Sequence, residues 1–380
     1  MANTNLGNAK AAKNDEFYTQ YADIEKEMQA YLDYDPDVFR GKTILLPCDD
    51  PERSNFTLYF AQNFARFGLK KLISTSYAPD AKRARYGILP NLFPEEEEDP
   101  KFDPTKWQTK GKIFILDSDN NGDGAIDVHD LQWKYLDGDG DFRSKEVTAL
   151  RNEADFIITN PPFSLFRDFM AWLMDGGKQF SVIGNMNAIT YKEVFPLIKN
   201  NKVWLGGTGF VTDMVFAVPE GAVVKDCDRR KASRLGYIGN YTRLGNSCWF
   251  TNIEHGRRHQ PLALMTMADN IKFSRHKDIR GKEYQHYDNY DAIEVPYTDA
   301  IPSDYGGAMG VPISFLDKYC PEQFAIIGQT QGDSGKELGL KPFDRELKKL
   351  NPSLRDGQLY YMENGIPVKP YARILIRKKQ

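Results

Sequence analysis

The chain has 380 residues, of which 41% are hydrophobic and 13% aromatic. This length fits two domains, and this composition excludes a chain that is disordered throughout. The formal net charge is only −3, but residues 225–282 carry 13 Lys/Arg against 5 Asp/Glu, and residues 340–380 carry 10 against 4. Such basic stretches suit a polyanionic partner, although a solvated surface explains them equally well.

The cysteines and the apolar segments narrow the class of protein further. The four cysteines are far apart and form no Cys-x-x-Cys pair, which argues against a disulfide framework or a zinc site. No apolar run approaches the roughly 20 residues that a membrane span needs. The N-terminal segment "MANTNLGNAKAAKNDE" lacks the apolar core of a signal peptide. We therefore expect a cytoplasmic protein that does not associate with a membrane.

The first half of the chain predicts alternating helices and strands. In chain order, we predict a helix in "DEFYTQYADIEKEMQAYL", a strand in "KTILLPCDD", a helix in "SNFTLYFAQNFARFG", strands in "LKKLISTSY", "GKIFIL" and "EADFIITNPPF", a helix in "SLFRDFMAWLMDGG" and a strand in "QFSVIGNMNAI". This alternation is typical of an α/β fold with a parallel sheet. After Gly206 it fades into short strands, such as "NSCWFTNI", and basic loops.

These elements predict the domain organisation. We expect a flexible tail over residues 1–14 and an α/β domain over residues 15–210, with an Asp/Asn/Gly-rich insertion at about 117–137. Residues 211–380 form a mixed α+β region in this interpretation.

The segment Asn160-Pro161-Pro162-Phe163 follows a predicted buried strand. Ligands bind at the carboxyl ends of strands in doubly wound sheets, and two prolines end the strand and fix the loop. The side-chain oxygen of Asn160 and the carbonyl of Pro161 are two acceptors that match an exocyclic amino group, and Phe163 offers a flat face to a planar ring. The alternative is an ordinary Pro-Pro loop.

This arrangement predicts a clamp for an aminated heteroaromatic ring. Two hydrogen bonds to the amino group would draw its lone pair out of conjugation, so that the nitrogen attacks an electrophile without first losing a proton. Catalysis would then come from position and electrostatics.

The four residues Asn160 to Phe163 look like the catalytic motif of methyltransferases that use S-adenosylmethionine. Longer segments, among them "CDDPERSNFTLYFAQNF", "GDGDFRS", "TNPPFSLFRDF", "WFTNIEH" and "MGVPISFLDKY", resemble the EcoRI-type adenine-specific DNA methyltransferases over almost the whole chain. The resemblance implies a Rossmann-like methyltransferase sheet and a C-terminal target-recognition region. It also implies methyl transfer from S-adenosylmethionine to N6 of an adenine flipped out of double-stranded DNA.

The resemblance also implies a set of cofactor-binding residues. They are Phe17, Tyr18 and Thr19 at the N-terminal motif, Asp49, Asp50 and Asn55 after the first strand, and Asp141 and Phe142 in "GDGDFRS", where Asp141 would accept from the cofactor's adenine amine and Phe142 would pack on its ring. The alternatives are a helix start, an Asx turn and an ordinary Gly-rich turn. No acidic residue ends "LKKLISTSY", so the ribose contact stays unassigned.

The segment "DNNGDGAIDVHD" fits an EF-hand-like calcium loop. Its candidate ligands are Asp119, Asn121, Asp123, Asp127 and Asp130. The last ligand is Asp rather than Glu, and no clear helix precedes the loop, so a plain acidic loop is an equal alternative. Methyl transfer itself needs no metal.

DNA binding requires Lys and Arg to neutralise phosphates. The candidate contacts are Arg229, Arg230, Lys231, Arg234, Arg257, Arg258, Arg275 and Lys277. We expect a monomer, with a cognate restriction endonuclease as a candidate genetic partner.

Three other functions compete with this interpretation. Within methyl transfer, the substrate would be an RNA base or a protein glutamine amide, although the basic C-terminal half favours a nucleic acid. Cytosine C5 methylation needs a cysteine nucleophile, and Cys48 lies where the cofactor is expected. The third alternative is a non-catalytic, calcium-stabilised DNA-binding module.

Overall fold

The computed structural model describes residues 17–48, 54–78, 100–107, 109–210, 214–218 and 224–379. The chain divides into two compact units. Unit 1 is drawn from residues 1–188 and 204–255, and unit 2 from residues 189–203 and 256–380.

Unit 1 is a mixed α/β structure. Its strands are β1 (Tyr18–Thr19), β2 (Thr43–Leu46), β3 (Lys71–Thr75), β4 (Lys112–Leu116), β5 (Gln132–Tyr135), β6 (Phe156–Thr159), β7 (Gln179–Asn185), β8 (Trp204–Leu205), β9 (Val215–Ala217), β10 (Tyr241–Arg243) and β11 (Ser247–Thr251). Its helices are α1 (Tyr21–Tyr34), α2 (Asn55–Gln62), α3 (Phe64–Phe67), α4 (Pro104–Trp107), α5 (Lys145–Glu153), α6 (Phe166–Gly176) and, numbered in chain order after α7 of unit 2, α8 (Asp226–Arg234).

An eight-stranded sheet in the order β5-β4-β3-β2-β6-β7-β11-β8 forms the centre of unit 1. The four middle strands, β3, β2, β6 and β7, are parallel, whereas the neighbouring β4 and β11 run antiparallel to them. The residues of β2 and β6 are all buried, as expected for strands that are covered on both faces. The predicted parallel sheet is therefore present at the centre, but the predicted strand "GKIFIL" joins it in the antiparallel direction.

The helices begin and end where the sequence provides caps. Ser54 accepts the N–H of Phe56 at the start of α2, and Gly68, with a φ of +61°, follows the end of α3. Helix α1 buries Ile24, Met28 and Tyr31, which share one face at helical spacing. Helix α1 starts at Tyr21, later than predicted, because Tyr18 and Thr19 form strand β1.

A smaller sheet in the order β1-β9-β10 completes unit 1. Strand β9 pairs antiparallel with both of its neighbours, with Tyr18 and Tyr241 both opposite Ala217. Strand β11 also lies in unit 1, because it hydrogen-bonds to β7 from Ser247 to Thr251. The observed units therefore do not divide at the predicted boundary between residues 210 and 211.

Unit 2 has its own sheets. Its strands are β12 (Ala292–Glu294), β13 (Ala308–Pro312), β14 (Phe324–Gln329), β15 (Tyr361–Glu363), β16 (Ile366–Val368) and β17 (Arg373–Lys378), and its helices are α7 (Phe195–Lys199), α9 (Met267–Phe273), α10 (Gly332–Glu337) and α11 (Arg345–Leu350). The sheet order is β12-β13-β17-β14, and β15 and β16 form a hairpin. Among the described residues, no helix is both long and apolar enough to cross a membrane.

A buried ion pair lies within the four-stranded sheet of unit 2. The guanidinium of Arg373 donates to both oxygens of Glu294, and the hydroxyl of Tyr287 donates to the same carboxylate. Burial and the neighbouring Glu294 raise the pKa of Tyr287 well above its ordinary value. The pair is therefore hydrogen-bonded on both sides, which buried charges require.

A buried carboxylate joins α1 to the segment after β8. Glu27 is fully buried and accepts hydrogen bonds from the N–H groups of Gly207 and Thr208, both at 2.9 Å. The hydroxyls of Thr208 and Tyr31 also donate to it, both at 2.6 Å. Tyr31 in turn lies 2.9 Å from the hydroxyl of Ser181 in β7, so the network fixes α1 against the large sheet.

Replacing Glu27 tests this network. Glu27→Gln puts an amide nitrogen where a carboxylate oxygen meets donors, so at least one buried donor loses its acceptor. We expect the free energy of unfolding in urea to fall by roughly 2–4 kcal/mol. The exposed Glu25→Gln on the same helix should change it by less than about 0.5 kcal/mol. Equal stability of the two variants would contradict the role of Glu27.

Asp23 gives α1 a pH-dependent contribution to stability. Burial raises the pKa of Asp23 from 3.8 to about 6, against the opposing effects of Lys26 and of a backbone hydrogen bond at Val215. A folded pKa above the unfolded one means that the native state binds the proton more tightly. This contribution to stability is therefore fully present below about pH 4 and is lost as the pH rises through 6.

The variant Asp23→Asn tests this contribution, because it removes the cost of the partly buried carboxylate. Above pH 6 it should raise the free energy of unfolding by up to about 3 kcal/mol, and near pH 4 it should change it little. Urea unfolding at a series of pH values measures the difference. The exposed Asp33→Asn should show no such dependence, and a difference for Asp23→Asn that is constant with pH would refute the assignment.

Candidate active site

The carboxyl ends of β2 and β6 are neighbours in the parallel part of the large sheet. The chain leaves β2 toward β3 on one side and leaves β6 toward β7 on the other, so the two ends flank a point where the strand order reverses. Open α/β sheets bind ligands at such a point. The hydroxyl of Thr159 at the end of β6 donates to the carbonyl of Pro47 at the end of β2, which ties the two ends together.

Asn160 follows directly after β6 and is 8% exposed. Its side-chain nitrogen donates to the carbonyl of Phe17 at 2.5 Å. Its side-chain oxygen is buried and has no hydrogen-bond partner within the described part of the chain. Because the nitrogen must face the carbonyl, the oxygen is fixed as a free acceptor. A buried acceptor without a partner is costly, and in a native structure it often marks a ligand position.

The two prolines and Phe163 form a rigid turn after Asn160. Pro161 is buried, and the carbonyl of Pro162 accepts the N–H of Leu165, which starts a short 3₁₀ turn at Phe163–Leu165. The ring of Phe163 is half-buried and lies 5.7 Å from the ring of Phe17 at an angle of 32°. Its position is therefore fixed by packing, while part of the ring stays accessible.

The N-terminal residues of the predicted cofactor site lie beside this turn. The side-chain nitrogen of Asn55 donates to the carbonyl of Thr19 at 2.7 Å, and Thr19 belongs to β1 together with Tyr18. The buried hydroxyl of Thr19 has no hydrogen-bond partner among the residues that are described. The structure thus brings Phe17, Thr19, Asn55 and Asn160 together. The predicted residues Asp49 and Asp50 lie outside the described residues.

Phe216 completes the aromatic contacts of the turn, and the sequence interpretation did not single it out. It lies in β9, is buried, and packs against Phe17 at 5.8 Å between ring centroids. In the sequence, Phe216 is marked only by the short apolar run of residues 214–218. Such a run predicts a strand but does not show that β9 pairs with β1.

The segment 138–144, "GDGDFRS", lies at the carboxyl end of β3. The N–H of Ala78 donates to the carbonyl of Asp139 at 2.8 Å. Gly140 has a φ of +85° and approaches the carbonyl of Ser76 so closely that a side chain at this position would overlap with it. Burial and a hydrogen bond to Asp139 raise the pKa of Tyr77. Asp139 therefore lies at the strand end where the sequence lacks an acidic residue.

Asp141 and Phe142 have protein partners in this structure. Both oxygens of Asp141 accept from the guanidinium of Arg143, at 2.9 and 2.6 Å, and this hydrogen bonding lowers the pKa of Asp141. Phe142 is 3% exposed and packs edge-on against Phe169 and Trp172 of α6. Phe142 thus helps to hold α6 in place, and its predicted stacking on the cofactor would require its ring to move.

The predicted calcium loop uses its side chains for backbone hydrogen bonds. Asp119 and Asp130 each accept N–H groups of the loop on both oxygens, at 2.6 to 3.0 Å. Asn121, Asp123 and Asp127 each accept the N–H two residues further along. Across the described ranges, no group of three His, Cys, Asp or Glu side chains is placed to hold a metal ion. The structure gives the calcium hypothesis no support.

The predicted DNA contacts fall on both units and differ in exposure. Arg229, Arg230, Lys231 and Arg234 are exposed on α8 of unit 1. In unit 2, Arg275 is exposed and pairs with Asp299, and Lys277 is also exposed.

Two further candidates in unit 2 have structural contacts. Arg257 pairs with Asp317 at 2.6 Å, and Arg258 is buried and donates to Asn201 at 3.0 Å. The cations of α8 and those at residues 275–277 are therefore more exposed to solvent than Arg257 and Arg258.

Comparison with known proteins identifies one family of similar proteins over nearly the whole chain. The family described as "Adenine-specific methyltransferase EcoRI" matches residues 5–379. The chain is 40% identical to the type II methyltransferase M.EcoRI of Escherichia coli over 90% of this chain and 95% of that protein. It is 33% identical to the type II methyltransferase M.MpnI of Mycoplasma pneumoniae over 84% of this chain and 83% of that protein. No solved structure matches the chain at a significant level.

A family match that spans nearly every residue includes the turn at Asn160, the N-terminal segment and both units. The chain belongs to the EcoRI family of adenine-specific methyltransferases.

Proposed function

We propose that this protein is a site-specific DNA methyltransferase that transfers a methyl group from S-adenosylmethionine to N6 of an adenine extruded from duplex DNA. The observation that carries the proposal is the buried side-chain oxygen of Asn160 at the switch point of the sheet, which has no hydrogen-bond partner among the residues that the structure describes. Family membership supports the reaction, and the relatives named above are type II methyltransferases.

Asn160 and Pro161 bind the amino group of the target adenine in this proposal. The side-chain oxygen of Asn160 accepts one N–H, and the carbonyl of Pro161 accepts the other. The hydrogen bond from the Asn160 nitrogen to Phe17 prevents the amide from turning over, so the oxygen stays directed at the substrate. The adenine nitrogen becomes more nucleophilic as its lone pair leaves conjugation, and after methyl transfer it releases its extra proton to solvent.

Phe163 binds the plane of the extruded base. Because its ring is held against Phe17, it loses little conformational freedom when the base stacks on it. Stacking of this kind contributes about 1–3 kcal/mol, which is comparable with the few kcal/mol that extrusion costs.

The residues around the switch point fit a cofactor with polar ends. When it is bound, S-adenosylmethionine supplies an electrophilic methyl group. Thr19, whose hydroxyl has no partner among the described residues, and Asn55 bind its amino-acid end in this proposal. The sequence resemblance adds Phe17, Tyr18, Asp49 and Asp50 to this set. Asp139 and Tyr77, at the carboxyl end of β3, are placed to bind the ribose. The parallel strands β3-β2-β6-β7 support a Rossmann-like sheet.

Target recognition is assigned to the C-terminal region, with phosphate contacts from the exposed cations of α8 and of residues 275–277. A monomeric enzyme and a cognate restriction endonuclease remain predictions. Calcium has no part in the proposed reaction.

Removal of the Asn160 side chain tests the clamp. Asn160→Ala should lower kcat by about 10²–10³-fold, because the hydrogen bond to the attacking nitrogen is lost in the transition state. The affinity for S-adenosylmethionine, measured by isothermal titration, should change by less than about threefold, since this side chain contacts the other substrate. Methyl transfer to DNA from labelled cofactor measures kcat.

The exposed Asn200→Ala in unit 2 is the matched control and should leave kcat unchanged. Full turnover by Asn160→Ala would contradict the clamp. Absence of cofactor binding by the unaltered protein would favour the non-catalytic alternative.

Replacement of Phe163 tests the capture of the base. Phe163→Ala should lower kcat/KM by about 5–100-fold, because one stacking surface is lost. Fluorescence of 2-aminopurine at the target position should rise less on binding than with the unaltered enzyme, whereas Phe163→Tyr keeps the flat ring and should restore both signals. A fluorescence rise in Phe163→Ala as large as in the unaltered enzyme would rule out this role.

A further inference from the structure

Residues 235–240 form a turn between α8 and β10 with an isoleucine at its tip. Ile238 is 83% exposed, which is the largest value among the exposed large hydrophobic side chains of the described residues. Leu235 at the end of α8 is also exposed. A single exposed aliphatic side chain needs no explanation by itself. The surroundings of Ile238 are what make it informative.

The backbone of the turn holds Ile238 away from the protein. Gly236 and Gly239, on either side of it, have φ values of +92° and +109°, which other residues adopt only with strain. Between them, the ring of Tyr237 packs against Tyr241 of β10 at 5.3 Å. Tyr237 therefore anchors the base of the turn, and Ile238 projects from it.

The sequence on both sides of this apolar tip is rich in cations. Residues 225–243 contain six Lys/Arg and two Asp/Glu, a local charge of +4, and the basic residues of α8 are exposed. A partner that fits must be anionic outside and apolar inside. Duplex DNA has this chemistry, because its phosphates lie outside a stack of base pairs.

The turn leads into β10 of the small sheet, and Phe17, which precedes β1 of that sheet, contacts the substrate clamp. Tyr241 and Tyr18 lie opposite the same residue of β9, so they are two strand spacings apart, roughly 10 Å. Phe17, the neighbour of Tyr18, accepts the hydrogen bond from Asn160. Ile238 is three residues before Tyr241, so the exposed side chain and the clamp belong to the same unit and lie at most about 30 Å apart.

We propose that Ile238 is an intercalating wedge. It enters the base stack of duplex DNA next to the target adenine and fills the space that the base leaves, while the cations of α8 bind the flanking phosphates. Aliphatic side chains inserted between base steps act in this way in other DNA-binding proteins. The inference rests on the proposed function, because it requires that the target base leave the duplex.

The experiment compares two DNA substrates that carry the enzyme's own target sequence, read from methylated adenines in DNA of cells that express the protein. In one substrate the target adenine is paired with thymine, and in the other it lies opposite an abasic site. An unpaired base is already free to leave the stack, so a wedge matters less there. Methyl transfer is measured on both with the unaltered protein, Ile238→Ala, Ile238→Leu and Ile366→Ala.

Ile238→Ala should lower kcat/KM about 10- to 100-fold on the paired substrate and less than about threefold on the abasic one. Ile238→Leu keeps the apolar volume and should stay within about threefold of the unaltered protein on both. Ile366, which is exposed on the β15–β16 hairpin, is the same residue type at another surface, and Ile366→Ala should not alter the ratio of kcat/KM between the two substrates. The thermal unfolding temperature of Ile238→Ala should be unchanged, since the side chain is not packed.

The wedge is overturned by an unchanged kcat/KM of Ile238→Ala on the paired substrate, or by an equal loss on the two substrates, which would indicate an ordinary surface contact. Absence of methylated adenine with the unaltered protein would instead overturn the proposed function, and the wedge with it.

Discussion

The side-chain amide of Asn160 is the point on which the geometry of the site depends. Its nitrogen donates to the carbonyl of Phe17, and its oxygen remains a buried acceptor without a partner among the described residues. The first contact fixes the direction of the second, because an amide cannot present its oxygen to another carbonyl. The protein thereby keeps one polar atom out of water and ready for an N–H group.

This arrangement needs support from two sheets. The parallel strands β2 and β6 bring Pro47 and Thr159 together at the switch point, and the small sheet β1-β9-β10 brings Phe17 over Asn160. Helix α1, which follows β1, is held by Glu27, whose carboxylate is surrounded by hydrogen-bond donors. The exposed cations of α8 and the turn with Ile238 lead into β10 of the same small sheet, so this sheet connects the proposed substrate clamp with the proposed DNA surface.

The sequence predicted the strands around the site better than their directions and partners. The apolar runs at β2, β3, β6 and β7 and the glycine stops at Gly68 and Gly177 were readable, since local periodicity and backbone freedom specify them. The antiparallel direction of β4, the pairing of β1 with β9 and the assignment of β11 to unit 1 were not, because hydrogen bonds between distant segments decide them. The loop at residues 119–130 fitted a metal-binding pattern, and only the structure shows that its side chains accept backbone N–H groups of the loop.

By itself, the sequence determined which residue types are available for binding and catalysis. They are an asparagine and two prolines at a strand end, an aromatic ring after them, and basic residues further along the chain. It also contained the motifs that place the chain in its family. Only the tertiary structure decided that the Asn160 nitrogen is bound while its oxygen has no partner in the described ranges, that Arg143 donates to Asp141, and that Arg258 is buried. The physical reason is that a residue type fixes which hydrogen bonds are possible, whereas the contacts between distant segments determine which of them form.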